Sequence, residues 1–148
     1  MAQRAVSPMW ILAGLIACLL SVPQARGEDH TQDSLEQVMQ AVKDKKAVVV
    51  DVREKSEWDR GHLKNAKLLP LSGLKKGSIT VDEIKKTVPK EVILYVHCGS
   101  GYRCLEAAPL LRKAGYDVRP LAAGYKDLLK AGFPQAEPVP DPKDPRTK

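Results

Sequence analysis

The sequence predicts an α/β layer structure around a mainly parallel central sheet flanked by helices, on two kinds of observation. Ala47-Val48-Val49-Val50-Asp51-Val52 and Glu91-Val92-Ile93-Leu94-Tyr95-Val96-His97 are nearly unbroken apolar, β-rich runs, the mark of strands buried on both faces. Around them lie stretches whose apolar residues recur at helical spacing. Strands alternating with helices build a parallel sheet covered by helices on its faces. Right-handed crossovers then bring the end of the run at His97 beside the end of the run at Val52. Ligand sites in such sheets lie at those carboxyl ends.

Taken in order, residues 1–27 read as an export leader. Arg4 lies in a short polar start, an apolar run extends from Met9 to Val22, and Ala25 and Gly27 place small residues before an expected cut after Gly27. The apolar run is shorter than the ~20 residues of a spanning helix. A lipoprotein signal is the second reading, in which Leu15-Ile16-Ala17-Cys18 would put a lipid on Cys18, against which Leu19-Leu20 continues the apolar run. An uncleaved N-terminal anchor is the third. The expected location is periplasmic or secreted, with membrane attachment confined to these two alternatives.

Thr31 to Lys46 reads as a helix, with Leu35, Val38, Met39 and Val42 on one face and lysines gathered at its end. The run from Ala47 is the first strand. Ser56, Glu57 and Trp58 suggest a short helical turn ended by Gly61, and Ala66 to Leu69 a brief strand stopped by Pro70. Thr80-Val81-Asp82-Glu83 is a capping box opening a helix to Val88, closed by Pro89. After the strand from Glu91 to His97, residues Arg103 to Ala114 form a helix that contains Pro109. Tyr116 to Arg119 is a short strand, and Gly124 to Lys130 a last helix with Gly132 behind it. The domain therefore spans 28–133. From Pro134 onward five prolines in fifteen residues and no apolar face predict a disordered tail over 134–148.

A chain of 148 residues allows one domain plus terminal extras. Of the formal charge of +6, Arg4 and Arg26 supply two, which leaves +4 after Gly27. The lysines are scattered in small pairs with no basic stripe interleaved with aromatics, so no nucleic-acid partner is expected. The three cysteines are Cys18, Cys98 and Cys104, and neither they nor His30, His62 and His97 have zinc-ligand spacing. No metal and no cofactor are expected.

The chemistry concentrates at Cys98-Gly99-Ser100-Gly101-Tyr102-Arg103, where a thiol sits at the junction of a strand and a helix. The first turn of a helix has N–H groups without intrahelical partners, and together with the dipole they cradle an anion. A sulfur there ionises more readily, and the thiolate is the reactive form. Gly99 and Gly101 let the backbone curl so that several N–H groups point at one centre.

This stretch resembles the six-residue active-site loop of rhodanese-like sulfurtransferases, and the helix with Ala107-Ala108, Leu111 and Gly115 is similar to the one behind that loop. Upstream, Asp51-Val52-Arg53-Glu54, Glu57-Trp58 and Gly61-His62-Leu63 resemble the family's first motif, and Leu68-Leu69-Pro70-Leu71 the segment after it. The resemblance implies a rhodanese-like three-layer fold in a single copy. It implies that the Cys98 thiolate attacks the outer sulfur of a small anionic donor such as thiosulfate. A persulfide results, which a thiol or cyanide acceptor removes. Gly99, Ser100, Gly101 and Tyr102 would supply backbone donors to the substrate, and Arg103 would hold an anionic oxygen of the donor. Asp51 and Arg53 would brace the loop by hydrogen bonds, and His62 would be structural. Strand alternation turns His97 away from Cys98.

Two departures stand out. Cys104 replaces the serine or other small polar residue often found there; it reads as a small buried helix residue, with oxidative pairing to Cys98 as the alternative. Ala123-Gly124 with Leu128 replaces a pair of glycines and a tryptophan. Phosphatases and arsenate reductases of related fold use a loop one residue longer, Cys-x5-Arg, with room for a tetrahedral oxyanion, so sulfur transfer is favoured over phosphate chemistry. A non-catalytic rhodanese-like binding module, or a thiol redox protein using Cys98 and Cys104, remain the competing functions.

Overall fold

The computed structural model describes residues 29–137. The expected leader and most of the expected tail lie outside the described residues. The elements in order are α1 (Leu35–Lys43), β1 (Ala47–Asp51), α2 (Lys55–Asp59), β2 (Lys67–Leu68), α3 (Leu71–Lys76), α4 (Val81–Thr87), β3 (Ile93–His97), α5 (Tyr102–Lys113), β4 (Asp117–Pro120) and α6 (Tyr125–Lys130). The four strands form one sheet in the order β2-β1-β3-β4, and every pairing is parallel. The α/β class predicted from the two apolar runs holds, and the sheet is more uniformly parallel than expected.

Each face of the sheet carries its own core. On one side Val50, Leu94, Val96 and Val118 pack with Leu71 and Leu74 of α3, Ile84 of α4 and Ala107, Ala108 and Leu111 of α5. On the other, Ala47, Val49 and Tyr95 pack with Val38 of α1 and Leu128 of α6. Both sides of β1 and β3 are covered, which is why their sequences are continuously apolar rather than alternating. The register aligns Asp51 with His97, so β1 and β3 end side by side at one edge.

Several boundaries differ from those expected. The first helix starts at Leu35 rather than Thr31, because Ser34 and Gln37 form a capping box: Gln37 N–H donates to Ser34 Oγ at 3.3 Å and Ser34 N–H to Gln37 Oε1 at 2.8 Å. Thr31 N–H instead donates to Pro120 O at 2.8 Å, which lays the preceding segment along the end of β4. The helix α3 was not expected from the sequence; Leu71 and Leu74 face the core from it, and Gly77 ends it at φ 70°. The capping box at Thr80 opens α4 as expected.

Candidate active site

Cys98 follows β3 directly, and its backbone is pinned from both sides. Val52 N–H donates to His97 O at 3.0 Å, and Tyr125 N–H, at the start of α6, donates to Cys98 O at 2.9 Å. From there the chain curls back over the sulfur. Gly101 adopts φ 88°, a left-handed conformation that a side chain disfavours, and a Cβ there would lie 2.6 Å from Ala122 O. That turn brings Gly101 N–H to 3.2 Å from Cys98 Sγ. The sulfur is fully buried, while Gly99 and Ser100 above it are exposed.

The thiol is held far below its ordinary range, to about 4. The first cause is a hydrogen bond from the Cys104 thiol; burial opposes it, and backbone N–H groups of Ser100, Cys104 and Gly101 add to it. Backbone N–H groups of the loop thus contribute to the lowered pKa, while its first cause is a side chain expected to serve as packing. Cys104 is indeed buried, and both thiols are free. Its Sγ also lies 2.6 Å from Gly101 O and 3.2 Å from Leu121 O. Its own ionisation is strongly disfavoured by the neighbouring Cys98 sulfur and by burial.

Arg103 is engaged differently from the expectation. Its Nη1 donates to Glu57 Oε2 at 2.6 Å and its Nη2 to Glu57 Oε1 at 2.8 Å. The Arg103 guanidinium holds the Glu57 carboxyl at about 2, so it is ionised at any working pH. Glu57, expected in a short helical turn and within the family's first motif but not among the site residues, therefore stands at the site. Its signal was available: Glu57 side chain and Glu54 form the capping box of α2, which fixes its direction. Tyr102 is 75% exposed and takes no side-chain part in the cradle.

Asp51 and Arg53 form a buried clasp. Arg53 Nε and Nη2 donate to Asp51 Oδ2 at 2.9 and 2.7 Å, and Nη2 also donates to Gly61 O at 2.8 Å. The guanidinium lies 4.0 Å over the Tyr125 ring. Its support reaches Cys98 through Tyr125, whose N–H holds the Cys98 carbonyl, rather than through direct hydrogen bonds to the loop. His97 points to this side, with Nε2 3.7 Å from Asp51 Oδ2, and burial pushes its pKa down, so it stays neutral. His62 stacks on Trp58 with ring centroids 3.7 Å apart and Nδ1 3.1 Å from Trp58 O. His62 is thus occupied structurally, whereas the buried His97 Nε2 has no hydrogen-bond partner among the described residues.

One residue at the site carried no sequence signal. His30 Nε2–H donates to Gly101 O at 2.9 Å. The segment is tied down by Asp33, whose Oδ2 accepts from Tyr95 Oη at 2.7 Å and Arg119 Nη1 at 2.8 Å. Among the described residues no cluster of His, Cys, Asp or Glu could hold a metal ion, and no helix is long and apolar enough to cross a membrane.

Residues 34–131 match the family model described as the Rhodanese-like domain. The chain is 36% identical over 83 residues to YqhL of Bacillus subtilis, a match covering 55% of this chain and 60% of that protein. It is 32% identical over 72 residues to a Mycobacterium tuberculosis protein named a probable adenylyltransferase/sulfurtransferase, MoeZ, covering 49% of this chain and 17% of that one. The matches thus span less than two thirds of these relatives' length. Among solved structures, the human single-domain sulfurtransferase TSTD1 superposes with a TM-score of 0.56 at 25% identity, covering 66% of this chain and 94% of that one.

Proposed function

The chain belongs to the rhodanese-like family, and on that premise we propose that it is a sulfurtransferase carrying one sulfane sulfur on Cys98. The observation that carries this reading is the loop turned back over the buried Cys98 sulfur, with Gly101 N–H 3.2 Å from Sγ. A thiolate at the bottom of a short loop attacks the outer sulfur of thiosulfate or a related donor. The S–S bond of the donor breaks, sulfite leaves with the bonding pair, and the negative charge passes to the outer sulfur of the Cys98 persulfide. Cyanide or a thiolate then takes that sulfur and returns Cys98 to its anionic state. The same inward-pointing amides serve both halves, since an anionic sulfur stands near them throughout.

Export belongs to the same proposal: cleavage after Gly27 would leave a mature chain that begins just before His30, in the periplasm or outside the cell. Mass determination of the N-terminus of protein from its native host checks it. For the reaction, the test is incubation with thiosulfate and cyanide. Thiocyanate should form with wild-type protein and not with Cys98→Ala; absence of thiocyanate with every sulfane donor leaves the non-catalytic binding module as the reading.

A further inference from the structure

We infer that Cys104 is a resolving thiol: it displaces the sulfur carried by Cys98 as sulfide and closes an intramolecular disulfide. The inference rests on the Cys98 persulfide of the proposed function and adds a second outcome to it. It stands on the way the two thiols share one residue. Gly101 N–H points at Cys98 Sγ from 3.2 Å, and Gly101 O lies 2.6 Å from Cys104 Sγ. Both sulfurs are fully buried and both are reduced. A disulfide brings two sulfurs to ~2.05 Å, and both of these already border the single residue Gly101.

Burial decides which thiol reaches the inner sulfur. An external thiol meets the exposed side of the loop, at Gly99 and Ser100, and so meets the outer sulfur first. Cys104 lies beneath, on the first turn of α5, between Gly101 O and Leu121 O. From there it faces Cys98 Sγ, the inner atom of the persulfide. An attacking group held in place acts at an effective concentration far above that of a free thiol.

Loading also changes what restrains Cys104. Before loading, the charge on Cys98 Sγ keeps the Cys104 proton in place. After loading, that charge has moved one atom outward. The step is Cys98–S–S⁻ plus Cys104–SH giving Cys98–S–S–Cys104 plus HS⁻. The Cys104 sulfur forms a bond to Cys98 Sγ, the bond to the outer sulfur breaks, and the departing sulfide takes the bonding pair and the Cys104 proton. In this step the Cys104 sulfur is oxidised and the outer sulfur is reduced to sulfide, Cys98 Sγ having been oxidised on loading, so no outside oxidant is required. A dithiol or other thiol reductant must reopen the disulfide before the next cycle.

The experiment uses the full reduced chain, thiosulfate or inorganic polysulfide as donor, and no added thiol or cyanide. Free sulfide is measured together with intact mass and alkylatable cysteine. Wild-type protein should release about one sulfide per chain and end with Cys98 and Cys104 linked. Cys104→Ser keeps a donor at that position and should instead retain the added sulfur as a stable persulfide, releasing at least about tenfold less sulfide, the scale on which an intramolecular thiol outpaces water. Cys104→Ala provides the same comparison without a hydroxyl. A stable wild-type persulfide with both cysteines unlinked overturns this inference and leaves sulfur transfer intact. Failure of the wild type and of both variants to load any sulfur overturns the persulfide itself, and this inference with it.

Discussion

Gly124 lies so close beneath Gly99 that a Cβ on it would stand 2.0 Å from Gly99 O and 2.8 Å from Gly99 C. The obstacle is the backbone of the active-site loop, not a side chain that can swing aside. Gly124→Ala should therefore destabilise the protein by at least about 3 kcal/mol, the upper end of ordinary overpacking, and should slow sulfur uptake by Cys98 in the fraction that folds. Gly77 offers the contrast, since its Cβ would meet nothing within 4 Å at φ 70°. Gly77→Ala should cost only the left-handed conformation, about 1–2 kcal/mol, with uptake unchanged. Urea unfolding paired with Cys98 alkylation rates checks both.

Glu57 sets the charge that an incoming donor meets. It is ionised and occupies both terminal nitrogens of Arg103. A doubly charged donor must approach a neutralised arginine. Glu57→Gln keeps an acceptor for the α2 capping box while removing the charge. The KM for thiosulfate should fall several-fold, about what 1 kcal/mol of removed repulsion gives near a protein surface, and stability should change by no more than about 1 kcal/mol for a pair this exposed. A rise in KM would show that Glu57 serves chiefly to position Arg103.

The pH response follows from Cys98. Its folded pKa, about 4, lies below the free-thiol value of about 8.5. Between those values the unfolded chain binds the extra proton, so the stability contributed by this ionisation grows as pH rises through the window. It is lost as pH falls toward 4. Alkylation of Cys98 by iodoacetamide should be nearly flat across neutral pH and decline only in acid. Cys104→Ala removes the largest stabilising partner and should move the inflection toward neutrality, with Cys104→Ser between the two. Thiolate absorbance against pH checks the shift independently.

The clasp between Asp51 and Arg53 is structural. Asp51 is fully buried and Arg53 nearly so, and removing one partner leaves a buried charge unpaired. Arg53→Ala should cost about 3–5 kcal/mol and loosen Tyr125, whose N–H holds Cys98 O. Arg53→Lys should recover part of this, because an ammonium cannot reproduce the paired bonds to one carboxylate. Thermal unfolding of the two variants measures the difference.

What could be read in the sequence was local or periodic. The apolar runs ending at Asp51 and His97 gave the two central strands, and Thr80 with Glu83 marked a helix start because both partners of that box lie within one turn. The loop from Cys98 to Arg103 was legible as a strand-to-helix junction flanked by glycines. The short helix Leu71–Lys76 was not, since two leucines three apart around Gly73 carry little periodicity. The site's remaining parts arrive from far along the chain. Glu57 meets Arg103 across 46 positions and His30 meets Gly101 across 71, separations that no spacing rule encodes. Cys104 differs for another reason: its spacing of six positions from Cys98 suggests oxidation, whereas in the folded loop both thiols are reduced and border Gly101.

The central claim is that Cys98 is a thiolate built to accept a single sulfur. The most direct measurement is the intact mass of the reduced protein after brief exposure to thiosulfate and to polysulfide, with Cys98→Ala alongside and cysteine alkylation to locate the change. The account predicts that at least one donor places one sulfur atom on Cys98, retained in Cys104→Ser and retained or released as sulfide in the wild type, and none on Cys98→Ala. No gain of sulfur in Cys104→Ser together with no sulfide from the wild type, with either donor, or an equal gain in Cys98→Ala, contradicts it.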